Sequence, residues 1–217
     1  MQKSGTIEGF NRVYAIDEMY YGWEVSPYLK YAVKELELEN AKALDLGCGE
    51  GRNAIYLARM GVEVKAIDAA VNGVKKLDKI ACDKGLDIEA IAADLRNYDF
   101  TGEKYDIIVA STILGHLEKE TRERVTADIK KSLKPGGILF ATVFTVDDPG
   151  YSDLKDNISS ETSFGVRHYY KYAELKEKFS GLRIKKYIET KELDTNHGDP
   201  HYHGYAMLIG EKPKSNE

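Results

Sequence analysis

The stretch Ala43-Leu44-Asp45-Leu46-Gly47-Cys48-Gly49-Glu50-Gly51-Arg52-Asn53 decides the fold: an apolar run ends on an acid, breaks into alternating glycines, and then helical spacing begins. It reads as strand, tight turn, helix. A glycine-rich turn after a buried strand lets the backbone approach a bound ligand and take positive φ without a Cβ clash. Glycines also punctuate ordinary turns, so the meaning of this one depends on what surrounds it.

Just upstream, Ser26-Pro27 reads as N-cap and first helical residue, and Leu29, Ala32, Val33 and Leu36 recur at helical spacing, so a helix precedes the first strand at 41–46. Downstream, a helix over 53–60 closes at Gly61, and a strand over 62–67 ends on Asp68, about 20 residues beyond the glycines. A helix over 71–84 carries Val74, Leu77, Ile80 and Ala81 on one face and stops at Gly85. A third strand over 88–92 runs out near Asp94. Asp45, Asp68 and Asp94 are therefore expected at one edge of a parallel sheet.

The strand 105–110 is apolar enough to be covered on both faces, and Ser111 leads from it toward Leu117 and a further helix over 121–133. Lys134-Pro135-Gly136-Gly137 is expected to stop that helix before a fifth strand over 138–146. Alternating strands and helices imply right-handed crossovers and an α/β, Rossmann-like doubly wound sheet. The pattern then lapses over 147–170, a length typical of a functional lid. A short helix at 172–179, a strand at 182–193 and a strand at 202–211 follow, the last two joined by His197-Gly198-Asp199-Pro200 as an antiparallel hairpin. The whole reads as a single domain over 1–217: an N-terminal cap and helix (1–40), a cofactor-binding core (41–146), the lid (147–170), and a C-terminal helix and hairpin (171–211). The first 25 residues are polar and aromatic without a clean period, with Phe10, Tyr14, Tyr20, Tyr21 and Trp23 suited to covering a ligand or the core.

Composition narrows the function classes. The chain has 217 residues, 31% of them charged, with a formal charge of −5, which disfavours nonspecific binding to nucleic acid or to an anionic membrane. No run of about 18 apolar residues and no signal-peptide stretch in Met1–Phe10 is present, so a cytoplasmic protein is expected. Two cysteines, Cys48 and Cys82, support neither a disulfide framework nor a cysteine zinc site.

Two ligands compete for the glycine turn, a nicotinamide dinucleotide and S-adenosylmethionine. The dinucleotide fingerprint wants glycine or alanine where this chain has Arg52. A long cation packs poorly against a strand but suits the carboxylate of a methionine moiety.

The segment Leu44 to Gly51, with Asp68, Asp94-Leu95 and the Lys134-Pro135-Gly136-Gly137 break in the same order, resembles class I S-adenosylmethionine-dependent methyltransferases. Gly51-Arg52-Asn53-Ala54-Ile55-Tyr56-Leu57-Ala58 looks more narrowly like the tellurite-resistance (TehB-like) methyltransferases. The resemblance implies a seven-stranded sheet with the last strand antiparallel and S-adenosyl-L-methionine as cofactor. It implies that Asp45, Gly47 and Gly49 line the methionine and ribose end, that Asp68 accepts from the ribose hydroxyls, that Asp94 and Leu95 meet the adenine, and that Ser111 faces the sulfonium. Cys48, Arg52, Asn53, Ala69 and, from the aromatic segment, Tyr21 complete the expected cofactor wall. Before the last strand, where the tellurite-resistance enzymes are thought to place a histidine and arginines, this chain has Asp194, Thr195 and His197, then His201 and His203, so catalytic residues are not carried over.

Methyl transfer is an in-line displacement at a sulfonium, so the protein acts mainly by alignment and by excluding water. A hydroxyl or protonated amine acceptor needs a base; a thiolate or soft oxyanion needs only positioning. Loops at the carboxyl edge of the sheet carry the polar candidates His116, Arg167, His168, His201 and His203. His201 and His203 project from one face of a strand and with His197 resemble a metal set, but no acid beyond Asp199 is evident, and no metal is expected. The Asn/Asp-Pro-Pro-aromatic motif of amino-group methyltransferases acting on bases or amides is missing at Ala110-Ser111-Thr112-Ile113, which lowers the case for a nucleic-acid acceptor. The expected activity is methyl transfer to a small molecule carrying a thiol, metalloid oxyanion, hydroxyl or amine. A catalytically silent cofactor-binding regulator, a protein or tRNA methyltransferase and a dehydrogenase are the alternatives.

Overall fold

The computed structural model describes residues 4–34, 36, 38–151, 165–195 and 199–214. Most of the expected lid, 152–164, and His197 lie outside the described residues.

The elements follow in the order α1 Ser4–Val13, α2 Pro27–Val33, β1 Lys42–Leu46, α3 Arg52–Arg59, β2 Glu63–Asp68, α4 Val71–Lys84, β3 Ile88–Ala92, β4 Tyr105–Ser111, α5 Ile113–His116, α6 Lys119–Ser132, β5 Leu133–Phe144, α7 Glu174–Lys178, β6 Arg183–Asp194 and β7 His201–Glu211. The seven strands form one sheet in the order β3-β2-β1-β4-β5-β7-β6. Strands β1 to β5 pair in parallel, and β7 is antiparallel to both β5 and β6. The strand order reverses between β1 and β4, which opens a crevice beyond their carboxyl ends.

Alternation along the strands feeds two cores. Leu44, Leu46, Ile108, Ala110, Leu139 and Ala141 face α5, α6 and α7 through Leu114, Val125, Ile129, Leu175 and Phe179. Ala43, Val64, Ala66, Ile107, Val109 and Phe140 face the other side, against Leu29 and Val33 of α2, Ala54 and Leu57 of α3 and Leu77 of α4. Each fully buried Leu, Ile or Val contributes about 1.5–3 kcal/mol, so the sheet is a rigid platform for what stands at its edge. Ser26 caps α2 as expected, its hydroxyl accepting from the Tyr28 amide at 3.2 Å, with Pro27 opening the helix.

Two local expectations are corrected. The segment over the first 25 residues contains a helix, α1, whose lack of a clean apolar period reflects its seat over a cavity rather than on the core. Lys134-Pro135-Gly136-Gly137 does not separate helix from strand: α6 passes directly into β5, and pairing slips from Tyr105–Leu133 to Ile107–Ile138. Gly136, at φ 81°, absorbs that slip, while its amide donates to the Lys212 carbonyl and the Lys212 amide donates to the Gly137 carbonyl. Among the described residues no helix is long and apolar enough to cross a membrane.

Candidate functional site

The glycine loop is held by β2. The amides of Gly47 and Cys48 both donate to the Ile67 carbonyl, at 2.8 and 3.0 Å, and the Gly49 amide donates to Asp68 Oδ2 at 2.8 Å. Asp68 Oδ1 accepts the Ala70 amide at 2.7 Å. Burial raises the Asp68 pKa against the pull of these amides. Each of its oxygens keeps a second lone pair for a ligand hydroxyl. Gly47, Gly49 and Gly51 all have positive φ, and a Cβ at Gly47 would strike Ile113 while one at Gly49 would meet the Tyr14 hydroxyl at 2.8 Å. The loop is thus a cradle whose walls leave no room for side chains.

A cavity of about 630 Å³ opens over this cradle. Gly47, Cys48, Gly49, Arg52, Asn53, Asp68, Ala69, Asp94, Leu95, Ser111 and Tyr21, the expected cofactor wall, all line it. Asp45 does not: it is 1% exposed behind the loop with both oxygens unpartnered. Burial, and after it the charge of Asp68, pushes Asp45 up to about 7, while the Ala54 amide acts on it without closing a hydrogen bond. Cys48 is buried, and burial followed by the charge of Asp68 pushes its thiol well above the ordinary value, which removes it as a nucleophile. At Asp94, burial pulls the pKa up, but the Arg96 side chain and amide outweigh it and hold the carboxylate ionised.

The N-terminal segment forms the roof, a role its lack of period had left open. Phe10 stands edge-on to His116 with centroids 5.5 Å apart, and Tyr14 edge-on to Tyr21 at 6.2 Å. Polar ties hold it down: Arg52 Nη1 donates to the Tyr21 carbonyl at 2.8 Å, the Tyr20 amide to Glu50 Oε2 at 2.8 Å, and Lys76 Nζ to the carbonyls of Ile16 and Glu18. Asn72 donates twice to Asn11, from its backbone amide to Oδ1 and from Nδ2 to the carbonyl.

At the tip of β4, Thr112 sits at φ 60°, unusual for a side chain branched at Cβ, with its amide held by the carbonyl and hydroxyl of Thr142. The turn starts α5 and sets His116 on the wall. Burial lowers the His116 pKa to about 4 against a Gly165 carbonyl that favours its charge, and Nδ1 is buried with no partner.

The five polar candidates separate. His116, Arg167 and His203 line the cavity, with Arg167 paired to Glu118 at 3.1 Å. His168 lies off the wall, because its Nε2 turns to Glu174 at 2.8 Å. His201 also lies off it, against His203, with Nε2 atoms 3.0 Å apart. His203 is 1% exposed, and its Nδ1 meets Asp148 Oδ2 at 2.8 Å. Across the hairpin Asp194 pairs in register with His201 and lines the cavity. Asp148, Thr142 and Lys76 carried no motif; only their non-local pairings reveal them.

The family model described as tellurite resistance protein TehB matches residues 17–198. A hemagglutinin 1 of Eikenella corrodens is 26% identical over 174 residues, 79% of this chain and 55% of that protein. A probable S-adenosyl-L-methionine-dependent methyltransferase TehB of Haemophilus influenzae is 31% identical over 110 residues, 50% of this chain and 38% of that protein. The crystal structure of TehB from Haemophilus influenzae superposes with a TM-score of 0.72 at 23% identity, covering 89% of this chain and 64% of that one. The chain spans about half the length, or less, of the curated relatives it matches.

Proposed function

The chain belongs to the TehB family of tellurite resistance proteins, and from that premise we propose that it is an S-adenosylmethionine-dependent methyltransferase acting on a small molecule. One observation carries the reading. One cavity is lined both by the glycine cradle with Asp68 and Asp94 and by His116, Arg167, His203 and Tyr205.

The residues present fit the cofactor. The cradle would be filled by a Cβ at Gly47 or Gly49, and Asp68, 19 residues beyond Gly49, lines the same cavity as Asp94. S-adenosylmethionine, when bound, supplies a methyl group on a sulfonium, open to in-line displacement. Asp68 orients the ribose end while holding the loop, Asp94 and Leu95 border the base, and Arg52 offers its charge to a carboxylate. The aromatic roof of Phe10, Tyr14 and Tyr21 excludes water and favours a cation beneath it. Neutral His116 adds no positive charge beside a sulfonium.

In this reading the chain works as one unit, 41–146 holding the cofactor while 1–40, Arg167 near the end of the lid segment and 171–211 enclose the acceptor, a thiol, metalloid oxyanion, hydroxyl or amine. Arg167 and His203 are the groups on the acceptor wall. The acidic net charge favours a small molecule over a nucleic acid. Incubation with S-adenosylmethionine and a panel of thiol, hydroxyl, amine and metalloid acceptors tests this. Acceptor-dependent release of S-adenosylhomocysteine supports methyl transfer, and cofactor binding without release from any acceptor identifies a silent binder.

A further inference from the structure

We propose that Asp194, His201 and His203 bind a divalent transition-metal ion of the zinc class at the acceptor end of the cavity. The three contribute ligand atoms that all lie within 4.8 Å of one another. Their juxtaposition follows from the hairpin: His201 and His203 are two apart on β7 and share a face, and Asp194 on β6 stands directly opposite His201.

The hydrogen bonds behind the ligands strengthen the case. His201 Nδ1 faces the Asp199 carbonyl oxygen at 2.7 Å, and a carbonyl can only accept, so Nδ1 carries the proton. His203 Nδ1 faces Asp148 Oδ2 at 2.8 Å, and Asp148 already accepts the Gly204 amide at 3.1 Å and the Gly150 amide at 2.8 Å. That carboxylate acts as acceptor, so His203 Nδ1 carries its proton as well. With both rings neutral, the two Nε2 atoms, 3.0 Å apart, would present lone pairs to each other. Two facing lone pairs repel unless a proton or a metal ion lies between them. Two imidazole nitrogens at about 2.0–2.1 Å on one tetrahedral zinc-class ion are about 3.3–3.4 Å apart, so the present 3.0 Å needs to open by only a few tenths of an ångström for shared coordination. A ring whose second nitrogen donates to a carboxylate or backbone carbonyl is the usual form of a metal-binding histidine.

The surroundings fit too. Phe144 and Tyr205 pack on the His203 ring at 4.9 and 5.2 Å, fixing its plane in a largely apolar shell. Gly204 lets the chain at Asp148 approach, because a Cβ there would lie 2.5 Å from the Asp148 amide nitrogen. An imidazole and carboxylate set suits zinc, cobalt, nickel or iron better than magnesium or calcium. His203 and Asp194 line the cavity, so an ion held by three protein ligands keeps positions for an acceptor oxygen or sulfur. That last step, which narrows the acceptor to a metal-ligating hydroxyl, oxyanion or thiol, rests on the methyl-transfer reading.

The test is metal uptake by the chelator-stripped full chain, measured with Zn²⁺ by calorimetry and with Co²⁺ by visible absorption, without methyl donor or acceptor. One equivalent is expected, with His201→Ala and Asp194→Asn each weakening it at least about tenfold, and Asp148→Asn weakening it about 10–100-fold through His203. His201 is half-buried at the hairpin, so its variant keeps the fold, checked by circular dichroism. No stoichiometric uptake, the outcome for a shared proton alone, overturns the proposal, and so does uptake indifferent to His201→Ala and Asp194→Asn. S-adenosylmethionine binding is measured separately: metal uptake without it leaves the ion site standing and removes the methyl-transfer reading.

Discussion

Lys76 Nζ reaches Glu50 Oε1 at 2.5 Å, and this ion pair joins α4 to the glycine loop and to the roof above it. Glu50 is almost fully buried, and its other oxygen accepts the Tyr20 amide. Removing one member of a buried pair leaves the other charge uncompensated, at a cost of about 3–5 kcal/mol. Lys76→Ala should approach the lower end, since Lys76 keeps some exposure, and should weaken cofactor binding by loosening residues 16–21. Urea unfolding and calorimetry check the two effects. Loss of stability with unchanged cofactor affinity would detach the roof from the site.

Asp45 gives the protein a pH dependence of definite sign. Its folded pKa of about 7 is raised from the unfolded value, so the folded state binds the proton more tightly and stability falls as pH rises between about 4 and 7. Asp45→Asn removes the ionisable group, and the advantage of the variant over the native chain should grow by on the order of 2 kcal/mol between pH 5 and pH 8. Denaturant unfolding at several pH values measures it. A difference independent of pH would contradict the burial argument.

His116 acts in the opposite direction. Its folded pKa of about 4 lies below the unfolded value, so its contribution is complete above about 6.5 and is lost as pH falls toward 4. Relative to His116→Gln, the native chain should lose on the order of 2 kcal/mol between pH 7 and pH 4.5. The His116 ring should also remain neutral by NMR at pH 6. A ring titrating near its ordinary value would show that the pocket is wetter than the structure indicates.

Gly204→Ala tests the support behind His203. The added methyl would strike backbone at Asp148 and Asp147, which cannot swing aside like a side chain. Overpacking of this kind costs about 1–3 kcal/mol. Turnover should fall by more than the stability loss explains, because Asp148 is pushed from His203 Nδ1. Turnover unchanged in the folded variant would show that Asp148 plays no part in positioning that ring.

Much of this architecture was legible in the chain because its signals are local. Strand β3 and helix α4 match the expected spans, and Ser26-Pro27 caps α2, since apolar period, proline and glycine act within a few residues. The residues expected to hold a cofactor come together for the same reason, all of them save Asp45 lining one cavity. Asp45 escaped because alternation along β1 sends its side chain to the α3 face rather than outward at the strand end. The acceptor side depended on pairings that spacing does not encode. His203 meets Asp148 from 55 positions away, and Asn72 meets Asn11 from 61. His168 was drawn off the wall by Glu174, and the carboxylate beside the histidine pair proved to be Asp194 across the hairpin, with Asp199 contributing its carbonyl. A strand pattern tells which side chains share a face; it does not tell what the fold brings against them.

In the proposed function the cradle closed by Asp68 and Gly49 holds a methyl donor. Isothermal titration of the native chain with S-adenosylmethionine tests it most directly, with Asp68→Ala in parallel. One binding site is expected, weakened about 10–100-fold in the variant, since hydrogen bonds to a charged group are worth about 1.5–3 kcal/mol. No binding to the native chain, or equal binding to both, would contradict it.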